Sequence, residues 1–461
     1  MADPVDIEAV FAYLESHQPR FRDELFGFLR IPSISARSDH AGDVRRAAAW
    51  TRDRCAAAGL AAEIIETPGH PAVIAEAEAV PGRPTLLVYG HYDVQPEGER
   101  SLWHSGPFEP ELRDGKFIAR GAADDKGQML CAILAAEAWM ETRGSIPINV
   151  KFCLEGEEEV GSSNLAGLIE RYKQRLSCDY VVIHDTAQFG PDMPAVTTAT
   201  KGLVYKEVIL TGPKKDLHSG SFGGVVANPA NELAKLIASF HDGDGRVAIP
   251  GFYDRAREMS AAEVEMMESL PYDEAALLAD LGSPKAYGEK GYGSLYRRWA
   301  RPTLDVNGIY GGYMKEGSST IIPSFAGAKV SMRLVPDQQA DEIAGLFDAA
   351  VRSRVPDTVT CEIKDHAACD AYLAELASPG MRAARRALEI GFGTPPVLIR
   401  EGGSLPILPM FKSILGADSL LLGYCQPNCN AHSPNEFLHA RDFKAGMRST
   451  AALFGLLGGD V

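Results

Sequence analysis

A chain of 461 residues, 45% of them apolar, exceeds what one hydrophobic core ordinarily holds and implies two domains of common size. Its formal net charge of −16 would repel nucleic acid and anionic membranes, which leaves a small ligand as the default partner. No stretch approaches the roughly 20 apolar residues of a membrane span, and residues 1–20 lack a basic start followed by an apolar run, so a cytoplasmic protein is expected.

Residues 6–29 have the apolar spacing of one amphipathic helix, and 41–59 that of a second, with Gly59 as its stop. Thr85-Leu-Leu-Val-Tyr-Gly-His-Tyr-Asp93 then reads as an apolar strand ending in polar residues. Helix 127–140, strand 148–154, helix 164–173 and strand 180–183 follow. Strands that alternate with helices and look buried on both faces predict an α/β fold, its mostly parallel sheet covered by helices.

From about Lys201 the pattern changes to strand 204–210, helix 229–240, strand 328–334, helix 338–353 and strand 359–363, a β-α-β-β-α-β-like unit. Residues 253–301, rich in Glu, Met and Tyr, are taken as a helical insertion in it. After Pro379 the first pattern resumes with helix 381–390, strand 397–399, a further helix, strand 419–423 and a last helix, 442–457. The second domain is therefore expected to interrupt the first.

Gly90-His91-Tyr92-Asp93-Val94 closes the first strand, where a period of two turns His91 and Asp93 to one side. An imidazole with a carboxylate beside it suits a metal ligand and its orienting partner. Gly121-Ala-Ala-Asp124-Asp125-Lys126-Gly127 puts two acids before a helix, where an aspartate also serves as an ordinary N-cap. Glu155-Gly-Glu157-Glu158-Glu159-Val-Gly161 follows a buried strand; such runs are usually solvated loops, yet open α/β sheets build their sites at the carboxyl ends of parallel strands. His184-Asp185 and Asn430-Ala-His432-Ser433-Pro434-Asn435-Glu436 repeat that placement.

Carboxylates gathered at one sheet edge repel unless cations hold them, and imidazole with carboxylate but no thiolate suits zinc, with manganese or cobalt as alternatives. The eight cysteines show no disulfide-framework spacing and read as reduced thiols. Cys425 and Cys429, near His432, raise the minor rival of a structural zinc knot.

Together with Leu217-His-Ser-Gly220, Gly311-Gly-Tyr-Met-Lys-Glu-Gly-Ser-Ser-Thr-Ile-Ile-Pro323 and Arg400-Glu-Gly-Gly-Ser404, these stretches make the chain resemble the M20 metallopeptidases (aminoacylase/carboxypeptidase/dipeptidase) over almost its whole length. The likeness is greatest to the cytosolic nonspecific dipeptidase and carnosinase branch. It implies a zinc-peptidase-like catalytic domain of residues 1–199 and 380–461, with an inserted α+β ferredoxin-like lid and dimerisation domain at 200–379. It also implies two divalent metal ions per subunit, with His91 and Asp185 on one, Glu159 and His432 on the other, and Asp124 bridging both. Asp93 would hold His91 from behind and Glu158 would be the general base. Distance from Lys126-Gly127 selects Asp124 over Asp125, and counting back from Gly161 selects the pair Glu158-Glu159.

By the same resemblance His218 would reach the oxyanion from the partner subunit of a homodimer, and Arg333 would clamp the substrate's terminal carboxylate bidentately. Thr320, Glu401 and Ser404 complete the contacts, Glu401 meeting a free amino group. Apart from the family, His218 reads as a turn residue and Arg333 as a surface or paired charge. The expected reaction is hydrolysis of dipeptides or other very short peptides with a free C-terminal carboxylate. An N-acyl or N-carbamoyl amino acid amidohydrolase or desuccinylase is the alternative on the same ligands. A catalytically dead binding protein is the reading from another class, and no ligand or base is missing to favour it.

Overall fold

The computed structural model describes residues 7–459. Asp6, where the first helix was expected to begin, lies outside them, and the rest of that segment forms two helices, Glu8–Ser16 and Gln18–Leu29, parted at His17. Pro19 accounts for the break: lacking an N–H and fixed in φ, proline fits only the first turn of a helix, so a new helix starts there. Helix Ala41–Ala57 ends just before Gly59, whose φ of 84° is left-handed.

Four parallel strands form the centre of the main sheet, in the spatial order Asn149–Glu155, Thr85–His91, Tyr180–Ile183, Asp418–Gly423. Leu86, Leu87, Val88 and Tyr89 are all buried, as expected of a strand covered on both faces. The mostly parallel sheet thus exists as a parallel centre. Its margins are antiparallel strands that the sequence reading did not mark: Ala61–Ile65 and Ala72–Glu76 on one side, Ala195–Thr200 on the other. Helix Lys126–Arg143 is buried without interruption from Lys126 to Trp139, which explains why its sequence is apolar all round.

The chain divides into two compact units. One holds the residues up to Thr198, Ala374–Ile399 and those from Met410 onward; the other holds Ala199–Leu373 and Arg400–Pro409. In the second unit, strands Thr303–Gly311, Phe325–Leu334, Gly202–Thr211 and Thr360–Cys369 form an antiparallel sheet in that order. With helices Pro229–Ala238 and Ala340–Arg354 between them in the chain, they make the β-α-β-β-α-β succession of a ferredoxin-like unit. Gly202–Thr211 buries alternate residues, and Val204, Val208 and Leu210 meet Val330, Met332 and Phe347 in one core. Strand Thr303–Gly311, which the sequence reading does not include, is an edge strand with Leu304 buried and Val306 partly buried against the core; its apolar alternation is short, broken by an irregular register between Val306 and Gly308.

The insertion at 253–301 contains three short helices, Ala261–Glu268, Glu274–Asp280 and Ser294–Ala300. Arg400–Pro409, expected with the first domain, groups with the second unit, where Arg400 pairs with Glu263 and Ser404 accepts a hydrogen bond from Arg333. No helix among the described residues is long and apolar enough to cross a membrane.

Candidate metal centre

Parallel register brings the chemistry to one edge of the first unit. His91 pairs with Glu155 at the carboxyl ends of adjacent strands, the acidic turn follows Glu155, and Asp185 lies two residues beyond the neighbouring strand Tyr180–Ile183. Gly161, at a φ of 92°, closes the short helical turn Glu158–Val160. Asp124 stands in the turn before helix Lys126–Arg143, where a Cβ on Gly127 would lie 2.0 Å from the Ala122 carbonyl oxygen. His432 adopts a φ of 60°, between Asn430 and Asn435 at similarly positive values, a strained loop of the kind found at functional sites.

Two groups of potential ligands result: His91, Glu158 and Asp185, and Asp124, Glu159 and His432, with ligand atoms in each within 4.8 Å of one another. Asp124 joins them. Its Oδ1 lies 3.1 Å from His91 Nε2 and its Oδ2 2.9 Å from His432 Nε2, the disposition of a carboxylate serving two centres. Asp185 Oδ2 is 3.7 Å from His91 Nε2, and Glu159 Oε2 is 3.2 Å from His432 Nε2. Glu158 stands beside His91 and Asp185.

The electrostatics fit divalent cations. His91 Nε2 is a buried nitrogen without a hydrogen-bond partner, aimed at carboxylate oxygens. Burial opposes protonation of His91, but the carboxylates of Asp124, Asp185 and Asp93 outweigh it and hold its pKa well above the imidazole value. Burial pushes the Glu158 carboxyl far up, with Asp185, Glu159 and Asp124 adding to the rise against the pull of His91. Asp185 is pushed up to about 6 by burial and by Asp124, while hydrogen bonds to Asp124 and Glu159 raise His432 to about 10. Four carboxylates facing two imidazoles carry an excess of negative charge that bound cations would neutralise.

The same strand ends also hold residues that face elsewhere. Glu155 accepts a hydrogen bond from Ser162 at 2.7 Å and another from Tyr89, and Glu157 accepts two from Asn164 at 2.9 and 3.0 Å. His184 is buried against Tyr424 with ring centroids 4.7 Å apart, and burial lowers its pKa to about 4, so only its neighbour Asp185 joins the cluster. Asp125 turns inward to accept the His91 N–H at 3.3 Å. Cys425 and Cys429 belong to no potential ion-holding group among the described residues, and all eight cysteines are free.

Supporting residues that sequence reasoning left without a role are Gln95 and Glu436. Gln95 Nε2 donates to Glu159 Oε2 at 2.8 Å, and its backbone N–H to Oε1 at 3.1 Å. Glu436, fully buried, accepts hydrogen bonds from the backbone N–H groups of Gly121, Ala123 and Asp124 and from Arg120 Nη1, at 2.7 to 3.1 Å. Gln95 directly follows one quoted motif and Glu436 ends another, but nothing local to the sequence pairs Glu436 with a turn 312 residues earlier.

The remaining expected site residues all belong to the second unit. His218 is exposed and pairs in a two-stranded ribbon with Ile321, next to Thr320, whose carbonyl accepts the Ser219 N–H at 3.0 Å. Arg333 Nη1 donates to Ser404 Oγ at 2.7 Å, and Glu401 accepts from Arg298 at 3.2 Å. Arg333 and Glu401 line one cavity of about 700 Å³.

Residues 87–455 match the model of "Peptidase family M20/M25/M40". The chain is 30% identical to the Cys-Gly metallodipeptidase DUG1 of Saccharomyces cerevisiae, with 97% of each chain covered. It is 29% identical to the Beta-Ala-His dipeptidase of Homo sapiens, over 98% of this chain and 92% of that one. Among solved structures it is similar to an M20 family metallo-carboxypeptidase from Sulfolobus solfataricus, at a TM-score of 0.85 and 32% identity over 95% of this chain and 99% of that one. The full-length matches and the paired ligand groups lead to one conclusion: the chain belongs to peptidase family M20/M25/M40 and is a metal-dependent hydrolase.

Proposed function

We propose that the enzyme hydrolyses dipeptides, or other very short peptides with a free C-terminal carboxylate, at a dinuclear centre. The observation that carries this is Asp124 dividing its oxygens between His91 and His432 with Glu158 alongside. His91 and Asp185 would hold one ion, Glu159 and His432 the other, and Asp124 both. Zinc suits this donor set, with manganese or cobalt as alternatives. When bound, the ions supply Lewis acidity and lower the pKa of water.

Glu158 then takes a proton from the attacking water and passes it to the leaving amine. Asp93 holds the His91 ring and, by accepting the N–H groups of Glu158 and Glu159 at 3.2 and 3.1 Å, fixes the turn that carries the base. Arg333 receives the terminal carboxylate of the peptide, with Ser404 orienting the guanidinium, and Glu401 meets the free amino group. His218 of the partner subunit donates to the oxyanion, with Thr320 beside it.

The dipeptidase names of the yeast and human relatives and the carboxypeptidase name of the archaeal one support a short peptide with a free carboxylate. A homodimer through the second unit is supported by its exposed Val225, Ile309 and Met314. Free cysteines support a cytoplasmic location.

The test is removal of metal with a chelator, then reconstitution with zinc, manganese or cobalt and assay on dipeptides beside N-acetyl, N-carbamoyl and N-succinyl amino acids. Dipeptide turnover should return with two ions per chain. Faster cleavage of the acylated amino acids would move the enzyme to the amidohydrolases.

A further inference from the structure

The cavity that holds Arg333 and Glu401 lies within the second unit and has more positive charge than its own carboxylates satisfy. Arg301 is paired with Glu289 at 2.7 Å, and Arg298 with Glu401 at 3.2 Å. Three further cations on the wall have no carboxylate in ion-pair reach among the described residues. Arg333 is bonded to a hydroxyl, Lys201 Nζ donates only to the Arg297 carbonyl at 3.1 Å, and Arg297 Nε is buried with no hydrogen-bond partner.

Lys201 is only 4% exposed. Burial lowers its pKa to about 8, and Arg333, Arg298 and Arg301 add to the fall against the pull of Asp305. Holding unpaired cations together in this way is costly unless a ligand supplies the missing anions, and such clusters mark binding sites more than stability devices. One carboxylate on Arg333 would leave Arg297 uncompensated and Lys201 with only Asp305, on the same wall but beyond ion-pair reach. A second carboxylate a few ångströms away would pair them, and Val247, Leu304 and Val306 on the same wall would accept the methylenes between.

We infer that Lys201 and Arg297 form a second anion subsite beside Arg333, which selects peptides whose C-terminal residue carries an acidic side chain. The inference rests on the proposed dipeptidase activity, with Arg333 on the α-carboxylate and the side-chain carboxylate reaching Lys201. Its size suits such a ligand, since small-molecule pockets commonly enclose about 300–1,000 Å³.

Ala-Glu and Ala-Gln, which differ by one charge at nearly equal shape, test the subsite on the metal-loaded enzyme. The wild type should favour Ala-Glu by about tenfold or more in kcat/KM, carried by KM, as one charge-assisted hydrogen bond allows. Lys201→Met should lose at least about tenfold more on Ala-Glu than on Ala-Gln, and Lys201→Arg should restore the difference. Arg333→Lys should raise KM for both peptides, which separates the α-carboxylate clamp from the subsite.

Calorimetric binding of glutarate needs no turnover and should weaken about tenfold in Lys201→Met. Arg297→Gln provides a second variant if the buried lysine proves essential for folding. Equal rates on Ala-Glu and Ala-Gln in the wild type would overturn the inference, as would equal losses on both in the variants. If no dipeptide is cleaved, glutarate binding that still depends on Lys201 keeps the subsite and removes only the dipeptidase reading; binding indifferent to Lys201 removes the subsite.

Discussion

Asp93 Oδ1 stands 3.4 Å from His91 Nδ1, with both side chains fully buried. His91 Nδ1 also lies 3.2 Å from the Asp93 backbone carbonyl, while its Nε2 faces Asp124 and Asp185; on the proposed mechanism the carboxylate shares in fixing the ring. Asp93→Asn keeps the shape but places an amide where a carboxylate must hold both an imidazole and two backbone N–H groups. Metal affinity should fall about 10- to 100-fold, the usual effect of losing an orienting partner. Competition with a fluorescent chelator measures it, and unchanged affinity would remove the orienting role.

Glu158→Gln should retain both ions and the fold, because His91, Asp185 and Asp124 remain. Turnover should fall by about 10²–10⁴-fold, the usual worth of a general base. Metal content and kcat on one sample decide the matter: near-normal rates would move the base elsewhere.

Glu436→Gln tests the support beneath Asp124. An amide has one acceptor oxygen where the carboxylate has two, so one side of the turn would meet N–H against N–H. Buried Arg120 would also lose its charge partner. Stability should drop by about 3–5 kcal/mol in urea unfolding, with metal lost ahead of unfolding. A variant as stable and as metal-replete as the wild type would show that the turn holds itself.

His218 lies in the second unit, whereas every residue of the two ligand groups lies in the first. If it completes the site of the other subunit, Glu158→Gln and His218→Ala should each be nearly inactive alone and recover on co-expression. With random pairing about half the dimers are mixed and about a quarter of all sites are intact, by two-fold symmetry. Isolated mixed dimers no more active than their parents would show that His218 acts within its own chain or not at all.

Away from the site, Glu137 joins the first three helices to helix Lys126–Arg143 through Arg20, Arg54 and the Tyr13 hydroxyl, which donates at 2.7 Å. Burial pushes its carboxyl up, but these partners outweigh burial and leave its pKa below the usual value. A carboxyl lowered in the folded state contributes stability that is complete above its unfolded pKa of about 4.3 and is lost as pH falls through the lower folded value. Glu137→Gln should therefore cost about 3 kcal/mol at pH 7 and show a shallower loss of stability on acidification. Urea unfolding at pH 7 and at pH 3 would reveal parallel losses if the charge were immaterial.

His91, His184-Asp185 and the acidic run from Glu155 to Glu159 were legible as candidates because each follows an apolar run long enough to be a buried strand, whereas the choice of Asp185 and of the pair Glu158-Glu159 within them came from the family resemblance. Local rules also placed Gly59 after a helix and a strand at 204–210, within the observed Gly202–Thr211. The break at His17 was legible too, in Pro19, but the helical periodicity across it concealed it.

Which way each acid points was decided only by tertiary structure. Glu155, Glu157, Glu158 and Glu159 are alike as a sequence run, and Ser162 with Tyr89, Asn164, and the cluster itself divide them. His184 and Asp185 are neighbours in the chain with opposite fates, because strand geometry turns one into the core and the other to the sheet edge. The two directions of Asp124, the buried support from Glu436 and the unpaired charge around Lys201 depend on contacts between residues from about thirty to just over three hundred positions apart. Periodicity and propensity report on neighbours within a few residues, whereas hydrogen-bond direction and burial are settled only when distant segments pack.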